Sequence, residues 1–345
     1  MDTLNDASSG IKAIALISGG LDSILAAELI LGQGIKLAAL NFISPFCQCN
    51  HKSDSCFMAK EAAQKLGMNF KVINLGEEYL EIVKRPRFGY GANLNPCIDC
   101  RILMLKKAKE FMKETGASFI ITGEVLGQRP MSQKMHMLKL IERESQLDGL
   151  ILRPLSAGLL DETLPEKNGW VRRASLLSLS GRSRRAQLSL AKEKDISDYS
   201  CPSGGCLLTD SGFSRRLKDL MQNFEDFSLK DVELLKIGRH FRLGLNSKLI
   251  VGRDEKENLR LENYKEYGNI YFDPDPLKGP VALGKGNFED PETIELSARI
   301  LARYCDHDKE EPILIKYFSE GPNQSEGKDI SVGPLELEKL EIYRI

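Results

Sequence analysis

Short apolar runs alternate with helix-like segments over the first third of the chain. Four runs predict buried strands, over 11–17, 36–42, 70–74 and 118–122. The segments between them carry apolar residues three or four positions apart, which predicts helices over 22–31, 56–66 and 102–115. Strands alternating with helices in this way are typical of parallel βαβ units. We therefore predict an α/β fold with a doubly wound parallel sheet, and ligands at the carboxyl ends of its strands.

The pattern changes in the second half of the chain. Short strand-like runs separated by Gly and Asn turns dominate from residue 238 onward, with a helix predicted over 293–304. A chain of 345 residues also suggests about two domains. We predict four parts: a flexible N-terminus (1–10), an α/β domain (11–210), a helical connector (211–237) and a smaller α+β domain (238–345).

Composition and charge narrow the function classes. The 48 Lys and Arg balance 49 Asp and Glu, for a net charge of -1, which excludes a protein that coats nucleic acid by bulk charge. No apolar run approaches the ~18 residues that span a bilayer, so we expect a cytoplasmic protein with no membrane contact. Its eight cysteines should then be reduced thiols, metal ligands or catalysts.

A glycine-rich loop follows the first predicted strand and opens the first helix, with the sequence Ser18-Gly19-Gly20-Leu21-Asp22-Ser23. The glycines permit close backbone approach, and the N–H groups of the loop and helix start can face one anion. The two serines add hydroxyl donors, and Asp22 suits Mg²⁺ or an orienting role. The ending of a Walker A loop is absent.

Two further segments fall at the same predicted sheet edge. Asn41 and Phe42 end the second strand, and Gly123 ends the fourth. Gly123 would let the backbone approach the ribose or α-phosphate of a nucleotide, although a glycine at a strand end is also a common turn residue.

Cysteines form the second candidate site. Cys97 and Cys100 stand in a Cys-x-x-Cys turn at a predicted helix start, where the helix dipole favours thiolates. Cys206 ends a Gly-rich segment far along the chain, and Cys201 competes with it as a third ligand. Three thiolates would leave one corner of a [4Fe–4S] cube open for an exogenous sulfide.

A third group of cysteines follows the second strand, and its role stays open. It comprises Cys47, Cys49 and Cys56, with His51 among them. Zinc binding, a sulfur relay or redox role, and a purely structural role are all compatible with this spacing. Cys305 stands alone in a predicted helix and is expected in the core.

These motifs together resemble a known family. The loop matches the SGGxDS loop of the PP-loop ATP pyrophosphatases, which cleave ATP between the α- and β-phosphates. Asn95-Pro96-Cys97 with Cys100 resembles the tRNA 2-thiouridylases, whereas segments 122–128 and 152–155 resemble the tRNA 4-thiouridine synthetases. The resemblance covers residues 11–210 and implies an adenine nucleotide alpha hydrolase-like fold.

The resemblance also implies roles for particular residues. It implies catalytic roles for Asp22, Cys97 and Cys206, and a [4Fe–4S] cluster on Cys97, Cys100 and Cys206. ATP and Mg²⁺ are the other implied cofactors, and the implied nucleotide contacts are Ser18, Gly19, Gly20, Asp22, Ser23, Asn41, Phe42 and Gly123.

RNA contact is predicted from two features. Segment 249–258 resembles the strand and turn of the NFACT-R RNA-binding domain. Residues 171–194 hold seven basic side chains and one acidic one, and Lys and Arg bind phosphates without reading sequence. The predicted RNA contacts are Arg129, Arg182, Arg184, Arg185 and Arg253.

We therefore expect an ATP-dependent tRNA sulfurtransferase, which adenylates a uridine, releases pyrophosphate and replaces the oxygen by sulfur. The sulfur would be delivered through a Cys-bound cluster or through a cysteine persulfide, and both stay open. Cysteine desulfurase, a sulfur carrier and free sulfide stay open as the donor, and the target uridine is equally open. Two alternatives remain: a PP-loop ligase of the amidotransferase type acting on a small molecule, and an RNA-binding protein with a regulatory nucleotide domain.

Overall fold

A computed structural model describes residues 10–47, 55–200, 206–265, 268–319 and 327–345, except for the side chains of residues 55 and 56. The chain divides into two compact units, Met1–Thr209 and Asp210–Ile345. The helices in the predicted connector fall within the second unit. The boundaries between the four predicted parts themselves stay predictions.

The first unit is built on a five-stranded sheet in which every pairing is parallel. Its strands are β1 (Lys12–Leu16), β2 (Lys36–Ile43), β3 (Asn69–Asn74), β4 (Phe119–Thr122) and β5 (Ile151–Leu152). They lie in the order β3-β2-β1-β4-β5. The sheet therefore grows in one direction from β1 to β3 and in the other from β4 to β5. The strand order reverses between β1 and β4, which is where doubly wound sheets bind ligands.

Helices cover both faces of this sheet. They are α1 (Leu21–Leu31), α2 (Ser55–Lys65), α3 (Gly76–Lys84), α4 (Cys97–Thr115), α5 (Met135–Ser145), α6 (Leu164–Lys167) and α7 (Arg185–Glu193). Side chains alternate between the faces of a strand, so Ala13 and Ala15 pack with α1 and α2, whereas Ile14 packs with α4 and α5. Burial on both faces explains why β1 reads as a continuous apolar run. The predicted α/β fold class is confirmed.

The second unit contains a six-stranded antiparallel sheet. Its strands are β6 (Arg239–Gly244), β7 (Ser247–Val251), β8 (Asn269–Asp273), β9 (Ala282–Gly286), β10 (Ile313–Ser319) and β11 (Lys328–Val332), and their order is β11-β10-β8-β9-β7-β6. Its helices are α8 (Ser211–Asn223), α9 (Leu229–Leu234), α10 (Glu255–Glu262), α11 (Pro291–Ala302) and α12 (Leu337–Tyr343). The sheet has an apolar core on each face, one with α11 and α12 and the other with α9 and α10. The predicted α+β character of this part is confirmed.

Cys305 differs in detail from its prediction. Helix α11 ends at Ala302, two residues before the predicted end, so Cys305 lies in the turn that follows. The thiol is buried and donates a hydrogen bond to the Leu301 carbonyl at 3.4 Å. The expected core position is therefore confirmed, while its helical assignment is wrong.

Among the helices in the described part of the chain, none is both long and apolar enough to cross a membrane.

Candidate active site

The loop between β1 and α1 is closed on itself by its two serines. Ser23 Oγ donates to the Gly20 carbonyl at 2.8 Å and accepts the Ser18 N–H at 3.3 Å. Ser18 Oγ accepts the Gly20 N–H, also at 3.3 Å. These contacts hold the loop over the start of α1, with Gly20 in the N-cap position. The loop lies at the carboxyl end of the central strand, as predicted.

Gly19 adopts a conformation that favours glycine and is closely approached by another helix. Its φ is +78°, and a Cβ there would lie 2.9 Å from the backbone nitrogen of Ala59 in α2. The Gly19 carbonyl also accepts the Ser200 N–H at 2.8 Å. The loop is therefore packed between α2 and the segment that leads toward Cys206.

Asp22 presents one carboxylate oxygen that has no hydrogen-bond partner. Its Oδ2 accepts Nε2 of Gln128 at 3.0 Å, whereas Oδ1 is buried without a hydrogen bond. Arg184 Nη2 lies 3.8 Å from that oxygen, and Arg184 Nε is likewise buried and unpartnered. A carboxylate oxygen beside a guanidinium group suits a divalent cation together with a phosphate.

Gly123 packs directly against the start of α1. A Cβ at this position would lie 2.5 Å from the Asp22 carbonyl carbon and 2.5 Å from the Ser23 nitrogen. The absence of a side chain at Gly123 therefore leaves room for the first turn of α1. The sequence alone did not indicate this contact with a helix. Direct contact between Gly123 and a nucleotide stays a prediction.

Asn41 and Phe42 support the same edge of the sheet. Asn41 Nδ2 donates to the Ile17 carbonyl at 2.7 Å, which joins the ends of β1 and β2, and its buried Oδ1 has no hydrogen bond. Phe42 packs against the core layer of α4 and α5. The nucleotide contacts that the resemblance implies for both residues stay predictions.

Four cysteine thiols gather near the ends of the same strands. Cys97 and Cys100 occupy the first turn of α4. Cys206 forms an isolated antiparallel bridge with Cys47, which lies just beyond β2. The four thiols are near enough that those of Cys47 and Cys97 raise the pKa of both Cys100 and Cys206. The structure therefore brings together the three predicted sulfur-handling cysteines and adds Cys47.

A hydrogen-bond donor lies near each of these four sulfurs. The Ser44 N–H donates to Cys47 Sγ at 3.2 Å. The backbone N–H of Cys97, the Tyr79 hydroxyl and the Leu208 N–H work against the effect of burial on the pKa of Cys97, Cys100 and Cys206, respectively. Donors aimed at sulfur stabilise negative charge on it, and they also tune thiolates that bind iron.

The protonation of the thiols differs from the prediction. Burial raises the pKa of Cys97 above its ordinary value, although Arg129, the helix N–H and Arg101 oppose this effect. Burial raises the pKa of Cys100 to about 11 and that of Cys206 to about 12. The prediction that the cysteines at the helix start are thiolates is therefore wrong for the protein without a bound metal. The loss of hydration on burial has a larger effect on their pKa than the helix dipole. Metal or electrophile binding would have to displace these protons.

A buried ion-pair network stands beside the thiols. Arg101 Nε lies 3.0 Å from Glu124 Oε1, and Arg153 Nε donates to Glu124 Oε2 at 3.0 Å. Burial raises the pKa of Glu124, but the two guanidinium groups outweigh it and hold that pKa below its usual value. Glu124 is therefore an anion that ties the end of β4 to α4.

Several sequence candidates fall outside this description. Cys49, His51 and Cys201 lie outside the described residues, as does the side chain of Cys56. Within the described residues, no three His, Cys, Asp or Glu side chains are placed to bind a single metal ion. The ligands of a four-iron cube each bind a different iron, so they surround the cube and do not converge on one point. The pairing of Cys47 with Cys206 was not predicted from the sequence. The only indication of it there is that residue 47 is a cysteine.

Comparison with known proteins follows the two units. Residues 8–162 match the family model described as thiamine biosynthesis protein (ThiI). Residues 238–344 match the model described as the NFACT protein RNA binding domain. The resemblance predicted from the sequence is confirmed.

The relatives are named for tRNA modification. A probable tRNA sulfurtransferase of Lysinibacillus sphaericus is 28% identical over 42% of this chain and 34% of its own length. A tRNA-specific 2-thiouridylase of Listeria monocytogenes is 23% identical over 86% of this chain and 83% of its own. The solved structure of a 4-thiouridine synthetase–RNA complex with ATP covers 65% of this chain and 53% of that one, at 22% identity and a TM-score of 0.39. This chain spans about a third of the length of the first sulfurtransferase relative.

The predicted RNA-contacting arginines have different surroundings. Arg129, Arg182 and Arg185 are exposed, and Arg185 begins α7. Arg184 instead points toward Asp22, so a change there would also disturb the Ser18–Ser23 loop. Contact with RNA stays a prediction for all of them.

Arg253, in the segment that matches the RNA-binding domain, lies in a tightly constrained turn. Its Nε is 3.0 Å from Glu257 Oε1 and 2.9 Å from Oε2, while Asp254 caps α10 by accepting the Glu257 N–H at 3.0 Å. A Cβ at Gly252 would lie 2.1 Å from Asn258 Oδ1. The Gly-Arg-Asp sequence and the later Asn thus build one turn, with Arg253 still half exposed at its surface.

Proposed function

We propose that this chain is an ATP-dependent tRNA sulfurtransferase that synthesises thiouridine. The observation that carries the proposal is the placement of the Ser18–Ser23 loop and the thiols of Cys47, Cys97, Cys100 and Cys206 beyond the ends of neighbouring parallel strands. A ligase that only adenylates a small molecule has no need of four gathered thiols. The names of the relatives favour the same activity.

The first step uses the loop. The N–H groups of the loop and of the α1 N-terminus bind the phosphates of ATP, because they carry partial positive charge. The unpartnered Asp22 Oδ1 would hold Mg²⁺, and Arg184 would neutralise a phosphate oxygen. A uridine carbonyl oxygen then attacks the α-phosphorus and pyrophosphate leaves. Adenylation turns that oxygen into part of a good leaving group.

The second step uses the thiols. Sulfur held at this site attacks the activated uridine carbon, and AMP leaves. The gathered thiols fit a [4Fe–4S] cluster, for which Cys97, Cys100 and Cys206 would be the ligands. When bound, such a cluster would supply an iron without a protein ligand that can hold sulfide. A persulfide on Cys206 is the other form in which these residues can hold sulfur.

The third component is tRNA binding. The match of residues 238–344 to an RNA-binding domain and the exposed arginines before and at the start of α7 support this role. Phosphate contacts would give affinity without sequence readout, so base recognition must come from the site where the uridine reacts.

The test compares Asp22→Ala with Asp148→Ala, a matched change at an exposed turn residue of the same unit. Purified full-length protein receives ATP, Mg²⁺, a sulfide source and tRNA from a thionucleoside-free strain. Pyrophosphate release and thionucleoside mass spectrometry are measured. We expect both signals in wild type and Asp148→Ala, and neither in Asp22→Ala.

Each alternative predicts a different outcome in the same assay. Pyrophosphate release that does not depend on tRNA would favour the small-molecule ligase. ATP binding without any turnover would favour a regulatory nucleotide domain. Wild-type thiolation by Asp22→Ala would contradict the role of the loop.

A further inference from the structure

Cys47 and Cys206 face each other on two chain segments that pair in antiparallel fashion. The Leu207 N–H donates to the Phe46 carbonyl at 2.8 Å, which is the pattern of a pair whose own backbone groups do not bond to each other. The Cα atoms of such pairs are about 4.5 Å apart and their side chains are close. A disulfide requires a Cα separation of roughly 4.4–6.8 Å, so this backbone arrangement allows one.

Both cysteines are held in place by their neighbours. Phe46 is fully buried and meets the Tyr79 ring edge-on, with centroids 5.5 Å apart. Leu208 is also fully buried, and Thr209 Oγ1 donates to the Cys206 carbonyl at 2.7 Å. Because the residues beside each cysteine are anchored, the two backbone segments stay paired without an ordering cost at each turnover.

The surroundings of Cys47 suit an attacking sulfur. Its Sγ accepts the Ser44 N–H at 3.2 Å and lies 3.5 Å from Ser44 Oγ. Both contacts can stabilise negative charge on sulfur. Cys97 lies on α4, and among the described residues no backbone pairing places it opposite Cys206.

We propose that Cys47 is the thiol that resolves a persulfide on Cys206. Cys47, as the thiolate, attacks Cys206 Sγ, the Cys47–Cys206 disulfide forms, and the bond from Cys206 Sγ to its outer sulfur breaks. The outer sulfur leaves with the electron pair as hydrosulfide. The outer sulfur is thereby reduced and the Cys47 sulfur is oxidised, while Cys206 Sγ stays at the disulfide level. A dithiol reductant then restores both thiols.

This inference rests on the proposed function in its persulfide form. Hydrosulfide released beside the loop is the nucleophile that attacks the adenylated uridine. The persulfide itself comes from a persulfide or polysulfide donor. Thiol–disulfide exchange of this kind needs no metal and no further oxidant.

The experiment loads reduced full-length protein with inorganic polysulfide, without ATP or tRNA. After removal of excess donor, released hydrosulfide is measured, and alkylated peptides are mapped by mass spectrometry. Wild type should release hydrosulfide and form a Cys47–Cys206 disulfide. Cys47→Ser and Cys47→Ala should retain the Cys206 persulfide and release hydrosulfide about tenfold more slowly or worse. The buried Cys305→Ser control should behave as wild type.

Two results would overturn the assignment: hydrosulfide release by both Cys47 variants at the wild-type rate, or a mapped disulfide that joins Cys206 to Cys97. A parallel reaction with ATP and tRNA separates this question from the activity itself. Disulfide formation without any tRNA thiolation would refute the proposed function alone. Thiolation by wild type without the Cys47–Cys206 disulfide would refute the resolving role alone.

Discussion

The close packing of Gly123 against the end of the Ser18–Ser23 loop makes Gly123→Ala a sensitive test of the site. The added methyl would lie 2.5 Å from the Asp22 carbonyl carbon and the Ser23 nitrogen, whereas ordinary contacts begin near 3.4 Å. Both neighbours are backbone atoms, so no side-chain rotation can relieve the overlap. Either β4 or the first turn of α1 must therefore move by about 0.9 Å, the difference between these two distances.

That displacement predicts a larger effect on activity than on stability. Overpacking of this kind costs about 1–3 kcal/mol, and the lower entropy of the unfolded alanine chain returns about 0.4–1 kcal/mol. A net loss of about 1–2 kcal/mol would lower the Tm of a unit this size by roughly 2–8 °C. A misplacement of about 1 Å at reacting groups, in contrast, can reduce the rate about 100-fold.

The assay measures tRNA-dependent pyrophosphate release and the Tm of the variant. Gly333→Ala is the matched control, because a methyl there meets nothing within 4 Å and the backbone is in an ordinary conformation. We expect the control to keep the wild-type rate, and Gly123→Ala to fall about 100-fold well below its Tm. A folded Gly123→Ala variant with the wild-type rate would refute the reasoning that α1 must keep this position for ATP to react.

Two further predictions concern charge. The double change Arg182→Glu with Arg185→Glu should weaken tRNA binding and reduce the slope of log K against log salt concentration by about 1–2. The control, Lys106→Glu with Lys113→Glu on α4, makes the same change in charge and should have neither effect. Equal losses of affinity in a salt titration of both variants would contradict RNA contact by the two arginines. Burial lowers the pKa of Lys248 from 10.5 to about 8, so between these pH values the unfolded chain binds a proton that the folded chain does not. As pH increases through this window, the unfolding free energy of wild type should therefore rise by on the order of 3 kcal/mol relative to that of Lys248→Met. Denaturant titrations at several pH values measure this difference. Parallel pH profiles of the two proteins would contradict the prediction.

Sequence periodicity located those elements whose burial is uniform along the chain. β1 is buried on both faces and reads as an apolar run, so its place was predictable. β9 is hard to recognise from the sequence because Ala282–Gly286 contains two glycines, which resemble a turn. Gly284 is instead required within the sheet, since a Cβ there would lie 2.4 Å from Ile270 and 2.5 Å from Phe288. The requirement for glycine at this position can be recognised only when the position of the neighbouring strand is known.

The same distinction applies to the candidate site. The loop from Ser18 to Ser23 was predictable because its residues are contiguous and their chemistry is local. The partnership of Cys47 with Cys206 depends on tertiary folding that joins distant segments. The protonation of Cys100 also depends on folding, because burial raises its pKa to about 11 and outweighs the local effect of the helix start.

The end of β4 connects the two halves of the site through consecutive residues. Gly123 sets how closely α1 and its loop approach the sheet. Glu124 holds Arg101, the residue after Cys100, at 3.0 Å and so fixes the first turn of α4. A buried ion pair contributes little net stability after desolvation, but it restricts geometry strongly, since displacement of either partner leaves a buried charge unpaired. The separation between the Ser18–Ser23 loop and the two thiols on α4 is therefore set by two adjacent residues, one by its missing side chain and the other by its charge.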